Sequence, residues 1–529
     1  MKRWLTHQPR IPVRNYLRYF SLFFVSLLIV IGIFAVRSEP GNLGTAPSAD
    51  IPSRNPSGAT SGSPVELEKF YSQQLSWSDC NGGFDCATLK VPRDYANPNI
   101  ANIEIAVIRL KSDGAQASLL LNPGGPGGSG IDYVRAATYV TSKALRKNFD
   151  IVGFDPRGVG KSTPIDCLDD KQTDQYIAAD GSPDDQVEID QTVQILETFA
   201  AECAKNSPQL YAHVDTVSAT RDIDILRAAL GDTKLNWLGK SYGTLLGATY
   251  ASLFPQNVGR MLLDGAIDPK LSNEEMSLGQ ALGFEDALDR FVADCPSHKD
   301  CPLNSDPIAA RAQIQGMLDN LDANPSKLAD GRSFTQAMGV TGVFGSLYDK
   351  AYSWPEFRQS LSDALEGDFE MLAESVDFYT GRNSDGSYSD NSNDAIAAVN
   401  CLDRPDRATV EQTKSLAAQW RLLAPTFGEY LAWSNVGCTF WKTPATGSPG
   451  KISAEGAPTI LVVGTTHDPA TPYEWAQSLA EQLSSGVLLT LDGDGHTAYL
   501  QGSPCIDQVV DKYYLTGKVD NGITCSDQS

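Results

Sequence analysis

Histidine is scarce in this chain, with five among 529 residues, and its ten cysteines include no C-x-x-C pair. Structural zinc sites need closely spaced cysteines and histidines, so the composition speaks against one and no metal is expected. Basic residues are also short. Five of the 42 lie in the first 36 positions, which hold no acid, leaving 37 against 65 acidic residues and a formal charge of −28 beyond them. So acidic a surface excludes nucleic acid as a natural partner. It tolerates a cationic group such as a peptide α-ammonium, although solubility alone accounts for the charge. The glycine-rich stretches complete neither G-x-x-x-x-G-K-[ST] nor the dinucleotide fingerprint, which leaves phosphate binding with little support. No internal repeat is present. Only one long apolar run occurs, Tyr19 to Val36, 18 residues without a charge. Neither a close A-x-A cleavage site nor a lipobox cysteine follows it. Its length approaches a bilayer span and is long for a signal-peptide core, so a single-pass membrane anchor is favoured over a cleaved signal. The basic flank then stays in the cytoplasm and the rest lies outside. An even cysteine count, with close neighbours at Cys80/Cys86 and Cys295/Cys301, suits disulfides in an oxidising compartment, and sequential pairing is expected.

What is present centres on Leu235 to Phe254, LNWLGKSYGTLLGATYASLF. An apolar run leads into Gly239-Lys240-Ser241-Tyr242-Gly243, and a helix-forming run with small residues follows. This is the strand, sharp turn and helix of a G-x-S-x-G nucleophile elbow. The turn strains Ser241 and exposes its Oγ, and the glycines leave room where strand and helix nearly touch.

The length calls for one large domain with an insertion, or for two. After residues 1–36, residues 37–64 are rich in Gly, Ser, Pro and Ala and read as a disordered linker. A folded part is expected from 65. Strands are predicted at Ile103 to Leu110, Ser118 to Leu121, Phe149 to Phe154 and Val258 to Leu263, and an amphipathic helix over Ser218 to Leu230. From 269 to 456 helical patterns dominate. Strand signals return at Thr459 to Val463 and Val487 to Leu491, and a last helix opens at Ser503-Pro504. Apolar runs separated by helices imply a mostly parallel sheet with its chemistry at the strands' carboxyl ends. The reading is an α/β core in two parts, 65–268 and 457–529, interrupted by a helical cap.

A serine nucleophile needs a base, and the base an orienting carboxylate. His7 is in the basic tail, His298 lies between Cys295 and Cys301, and His213 precedes a predicted helix. His496 follows the last predicted strand in a Gly-rich turn, the chain position expected of the base, with His467 the runner-up. Asp468 ends the penultimate strand and is favoured as the acid over Asp264, whose bland role is to hold backbone amides at Gly265. Asp492 and Asp494 are too near His496 in a tight turn. For the oxyanion, Tyr242 supplies one N–H and the loop after Leu121, at Gly125, the other. Asp155 and Arg157 read as a structural clamp.

NPGGPGGSG at 122–130, DPRGVGKS at 155–162, GKSYGT at 239–244, LLDGAIDP at 262–269, GTTHDPATPYEWA at 464–476 and GDGH at 493–496 together resemble the secreted tripeptidyl-aminopeptidase family of α/β-hydrolases, relatives of the prolyl aminopeptidases. The resemblance spans roughly residues 66 to 529. It implies an α/β-hydrolase fold, a serine exopeptidase with Ser241, Asp468 and His496 as its triad, no cofactor, and a family C-terminal segment over about 400–529. Prolyl aminopeptidases usually carry H-G-G-P-G where this chain has Pro123-Gly-Gly-Pro-Gly127, which favours the tripeptidyl branch. The expected substrates are peptides with a free N-terminus, whose ammonium group needs an anion; Glu274, Glu275, Asp403 and Glu474 are candidates. An esterase or lipase-like hydrolase with the same triad is the alternative. A non-catalytic envelope binding protein is a third reading, opposed by intact candidates for every triad role.

Overall fold

The structure, a computed structural model, describes residues 51–526. The apolar run at 19–36 and the first part of the linker lie outside the described residues. Among those described, no helix is long and apolar enough to cross a membrane.

A ten-stranded sheet organises the chain. Its strands are β1 (Ser78–Asp79), β2 (Phe84–Pro92), β3 (Asn102–Leu110), β4 (Ala117–Asn122), β5 (Phe149–Phe154), β6 (Leu235–Lys240), β7 (Val258–Asp264), β10 (Ile460–His467), β11 (Gly486–Asp494) and β12 (Ile523–Ser526); β8 (Ser326–Lys327) and β9 (Ser333–Phe334) form a separate hairpin. The order is β1-β2-β3-β5-β4-β6-β7-β10-β11-β12. Strands β5 to β12 in that order run parallel, while β1, β2 and β3 pair antiparallel at one edge. Strands β4, β5 and β6 are buried along their whole length, as expected of parallel strands covered on both faces. The fold is that of an α/β-hydrolase.

Three expectations need correction. The linker reading fails over 51–64, which is folded onto the core. Ile51 is buried against the sheet, and Asn55 caps the short helix Pro56–Ala59. Arg54 donates to Asp150 at 2.7 Å and to Ser118 at 3.0 Å. Low-complexity composition hides these contacts because they are made by single residues rather than by a periodic face. Second, β11 is not the last strand: β12 follows the helix Pro504–Thr516 and pairs beside β11. Ser503 heads that helix, but its side chain makes no capping bond. Third, the cap boundary is not clean. The helices from Asn273–Asp294 to Gly428–Ser434 share a second hydrophobic core, yet Ile189, with Val193 and Leu196, joins it from the helix Gln186–Asn206. Conversely, the helix Ser392–Asp403 sends Ala395, Ala398, Val399 and Leu402 into the core against the sheet. An amphipathic helix settles where its apolar stripe finds a partner, irrespective of its place in the chain. All ten cysteines pair sequentially, 80–86, 167–203, 295–301, 401–438 and 505–525.

Candidate active site

Strand β6 ends at Lys240, and Ser241 turns the chain into the helix Tyr242–Leu253 with φ 55° and ψ −124°. A non-glycine residue there is strained, and it persists because its surroundings dictate it. The turn tolerates nothing larger than glycine at its base: a Cβ on Gly239 would come within 2.2 Å of the Gly243 carbonyl. Ser241 N–H donates to the Asp264 carbonyl at the end of the neighbouring β7, at 2.9 Å. Ser241 is half-buried, so the turn is reachable from outside.

The glycine loop after β4 closes on this turn from the other side. A Cβ on Gly124 would lie 2.8 Å from Ser241 Cβ and 3.1 Å from Tyr242 N, so only glycine permits the approach. Gly124 N–H is engaged by Asn122 Oδ1 at 3.0 Å. The next amide, Gly125, sits on an exposed residue beside the turn, where the sequence placed the second oxyanion donor. Tyr242 opens the elbow helix, its main chain at the positive end of the helix dipole.

Asp468 follows β10 and His496 follows β11. His496 Nδ1 lies 2.8 Å and 3.0 Å from the two Asp468 oxygens, whose side chain is buried. Asp468 also accepts from Ala470 N and Thr471 N at 2.9 Å and from Thr471 Oγ1 at 3.0 Å. Thr471 Oγ1 is 3.3 Å from His496 Nδ1 as well. The space that a Cβ on Gly265 would take is bounded by Thr497, Thr471 and His496 Cε1. The imidazole therefore stands over the end of β7, the strand adjacent to the one that carries Ser241. The cap reaches the same residue: His496 N–H donates to the Tyr348 carbonyl at 2.8 Å, and the Tyr348 ring meets the imidazole edge-on with centroids 5.5 Å apart.

The other candidates are turned elsewhere. His467 Nδ1 pairs with Asp286 at 2.8 Å, on the exposed side of the helix Asn273–Asp294. His298 pairs with Asp294 beside its disulfide loop. Burial lowers the pKa of His213, and its carbonyl accepts from Arg157. Asp264 does not hold the amides at Gly265. Its carboxylate accepts from Ala498 N at 2.9 Å and Tyr499 N at 3.0 Å, beyond the histidine. Asp494 is gripped by Arg290 and by Lys350 (2.8 Å) from the cap. Burial alone would raise its pKa, but these donors outweigh it and hold it below the ordinary value. Arg157 is buried in a bidentate pair with Asp222, and Asp155 binds Ser129, Ile131 and Lys161, a clamp as expected.

The ammonium-binding candidates lie in different settings. Glu474 is exposed on the first turn of the helix Tyr473–Gln482, whose Trp475, Ala476 and Leu479 are buried instead. Glu275 closes the capping box of its helix with Ser272, and Glu274 is exposed beside it. Asp403 is buried beneath the elbow. It accepts from Thr216 N (2.8 Å) and Thr216 Oγ1, and that hydroxyl is 2.6 Å from the Tyr242 hydroxyl. Burial pushes Asp403 up to about 6.

Residues 424–525 match the family described as TAP-like protein, a span that holds Asp468 and His496. Over 470 residues the chain is 37% identical to serine protease Hip1 of Mycobacterium tuberculosis (strain ATCC 25618 / H37Rv), covering 84% of this chain and 89% of the relative. It is also 32% identical over 477 residues to the tripeptidyl aminopeptidase of Streptomyces lividans, covering 85% and 86%. The chain belongs to the tripeptidyl-aminopeptidase family of α/β-hydrolases. A further relative, carboxylesterase B of the same M. tuberculosis strain, is 37% identical over 500 residues, covering 90% of the chain and 93% of the relative. Within this serine hydrolase, sequence reasoning missed Thr471, Lys240 and Tyr348. Thr471 is signalled by its place in Asp468-Pro-Ala-Thr, where a hydroxyl three residues on can fold back to the carboxylate. Nothing local signals Tyr348, 148 residues from the imidazole it meets.

Proposed function

We propose that the chain is an extracytoplasmic serine aminopeptidase that releases short peptides, of tripeptide length, from free N-termini. The observation that carries the mechanism is the His496 Nδ1 to Asp468 contact at 2.8 Å beside an elbow serine at φ 55°. In this reading Ser241 Oγ attacks the scissile carbonyl while His496 Nε2 takes its proton. Asp468 holds the Nδ1–H tautomer and stabilises the imidazolium. Gly125 and Tyr242 N–H groups stabilise the oxyanion, and loss of one such donor costs about 3 kcal/mol. His496 then protonates the leaving amine. Water, activated by the same imidazole, hydrolyses the acyl-enzyme and restores Ser241. Five disulfides support an oxidising compartment, and the apolar run at 19–36 supplies the membrane anchor.

The peptide half of the proposal draws on the relatives named serine protease and tripeptidyl aminopeptidase. The relative named carboxylesterase B favours a second reading, an esterase with the same machinery. Ala-Ala-Pro-p-nitroanilide, its N-blocked form and p-nitrophenyl butyrate separate the two when each is offered to the wild type and to Ser241→Ala. We expect cleavage of the free-amine peptide only, abolished in the variant. Equal cleavage of the blocked peptide would make it an endopeptidase. Ester turnover with neither peptide cut would leave the esterase reading standing alone.

A further inference from the structure

We propose that Lys240 and Asp264 form a positioning pair that ties the nucleophile turn to the histidine loop and sets the approach of His496 to Ser241. The inference rests on Ser241 and His496 being nucleophile and base, as proposed above.

The sheet poses a problem of reach. Strand β11 is separated from β6 by β7 and β10. At about 4.8 Å per strand, its end stands roughly 14 Å from the elbow strand. The chain after His496 must therefore fold back across two strand ends, and it does so in a strained form. Thr497 has φ 67° and Leu500 φ 60°. A β-branched residue in the left-handed region is rare, and such a conformation persists only where the surroundings over-determine it.

Two side chains do most of that holding. Asp264 Oδ1 accepts from Ala498 N and Oδ2 from Tyr499 N. Lys240 Nζ donates to the Tyr499 carbonyl at 2.8 Å and to Thr497 Oγ1 at 3.2 Å, and lies 3.7 Å from Asp264 Oδ2. Both residues also belong to the other partner. Lys240 directly precedes Ser241, and the Asp264 main-chain carbonyl accepts the Ser241 N–H. Each therefore grips the nucleophile through its backbone and the histidine loop through its side chain. Asp468 adds a third tie, accepting from Thr497 N at 3.2 Å.

An ion pair is not needed merely to close a loop. Burial lowers the pKa of Lys240 and raises that of Asp264, and the attraction between the two works against both shifts, so each charge depends on the other. The charged groups around the imidazole are Asp468 from β10, Asp264 from β7 and Lys240 from β6, with the Tyr348 ring facing it from the cap; Asp349 and Asp507 act on Lys240. Asp264 attracts His496 and so favours the imidazolium that forms during the reaction. Because each charge of the pair depends on the other, losing either partner should disfavour the imidazolium in the same direction, which an uncharged brace would not do.

The test is the rate of Ser241 labelling by a fluorophosphonate against pH, in the full-length chain and in Lys240→Met, Asp264→Asn, their double variant and Ser241→Ala. A small misplacement of the imidazole predicts a rate lower by about tenfold to a hundredfold in each single variant. The double variant is expected to be no slower than the slower single one, because the two act as a unit. The acid limb of the profile should move to lower pH in both single variants. Should Lys240→Met fail to fold, Asp264→Asn keeps the shape and an acceptor oxygen and reports the same shift. Unchanged rates, independent losses in the double variant, or a limb that stays put or moves in opposite directions in the two single variants would overturn the pair. Labelling of Ser241→Ala would instead overturn the nucleophile on which it rests.

Discussion

Thr471 stands where the Asp468 carboxylate and the His496 imidazole meet, within hydrogen-bond distance of both. A valine of similar shape removes a hydrogen bond to the Asp468 carboxylate, worth about 1.5 kcal/mol or more. Thr471→Val should therefore lower kcat by roughly tenfold or more with KM unchanged, since the contact orients the base rather than the substrate. An equal loss in KM would place Thr471 against the substrate instead. Asp403 makes a different prediction at the same scale. Its folded pKa of about 6 lies above the ordinary carboxylate value, so the folded protein holds the proton more tightly than the unfolded chain. That contribution to stability is full below the ordinary value and is lost as pH rises through about 6. Asp403→Asn should gain thermal stability relative to the wild type between pH 4 and pH 7. A difference in melting temperature that does not vary with pH would contradict this.

Among the elements, the strap at 51–64 has the clearest consequence. Arg54 is its ionic anchor, 2.7 Å from Asp150 and 3.5 Å from Asp232, both buried. Burial raises Asp232 to about 6 even with Arg54 near it. Because Arg54 is partly exposed, Arg54→Ala should cost about 2 kcal/mol, less than the loss of one partner from a fully buried pair. Urea unfolding measures it, and a midpoint equal to that of the wild type would show the strap to be idle. The helix Pro307–Ala323 is a simpler case: Asp306 caps it through Ala309 N, with proline in its first turn. Asp306→Ala should cost about 1 kcal/mol and leave labelling of Ser241 unchanged.

For the whole molecule, the disulfides differ in what they close. Cys167–Cys203 spans 36 residues and Cys80–Cys86 only six. Loop entropy predicts a loss of about 4 kcal/mol when the first is replaced by serines and about 2 kcal/mol for the second. Denaturant midpoints of the two double variants compare them, and a reversed order would refute a loop-entropy origin. The cap is fastened to the same core through the histidine loop, by Arg290 and Lys350 on Asp494 and by the Tyr348 carbonyl on His496. The position of the imidazole is thus tied to the cap by these contacts.

The local sequence settled a good deal. The G-x-S-x-G turn and the apolar runs at 258–263, 459–463 and 487–491 follow from patterns within about ten residues, while His496 and Asp468 are singled out by their order along the chain after Ser241. Close spacing points to the pairs Cys80–Cys86 and Cys295–Cys301, whereas the other three disulfides join cysteines 20 to 37 residues apart. What the chain did not disclose by itself lies in contacts between distant segments. The strap was hidden by its Gly, Ser and Pro content. Strand β12 is only four residues long, and β2 carries no clean alternation. Asp264 reads as a turn residue until the fold brings residues 498–499 to it, 234 positions away. Lys240 reads as a spacer within the motif until Tyr499 arrives. Periodicity reports which face of an element is buried, whereas the partner a polar side chain meets is decided by how the elements stack.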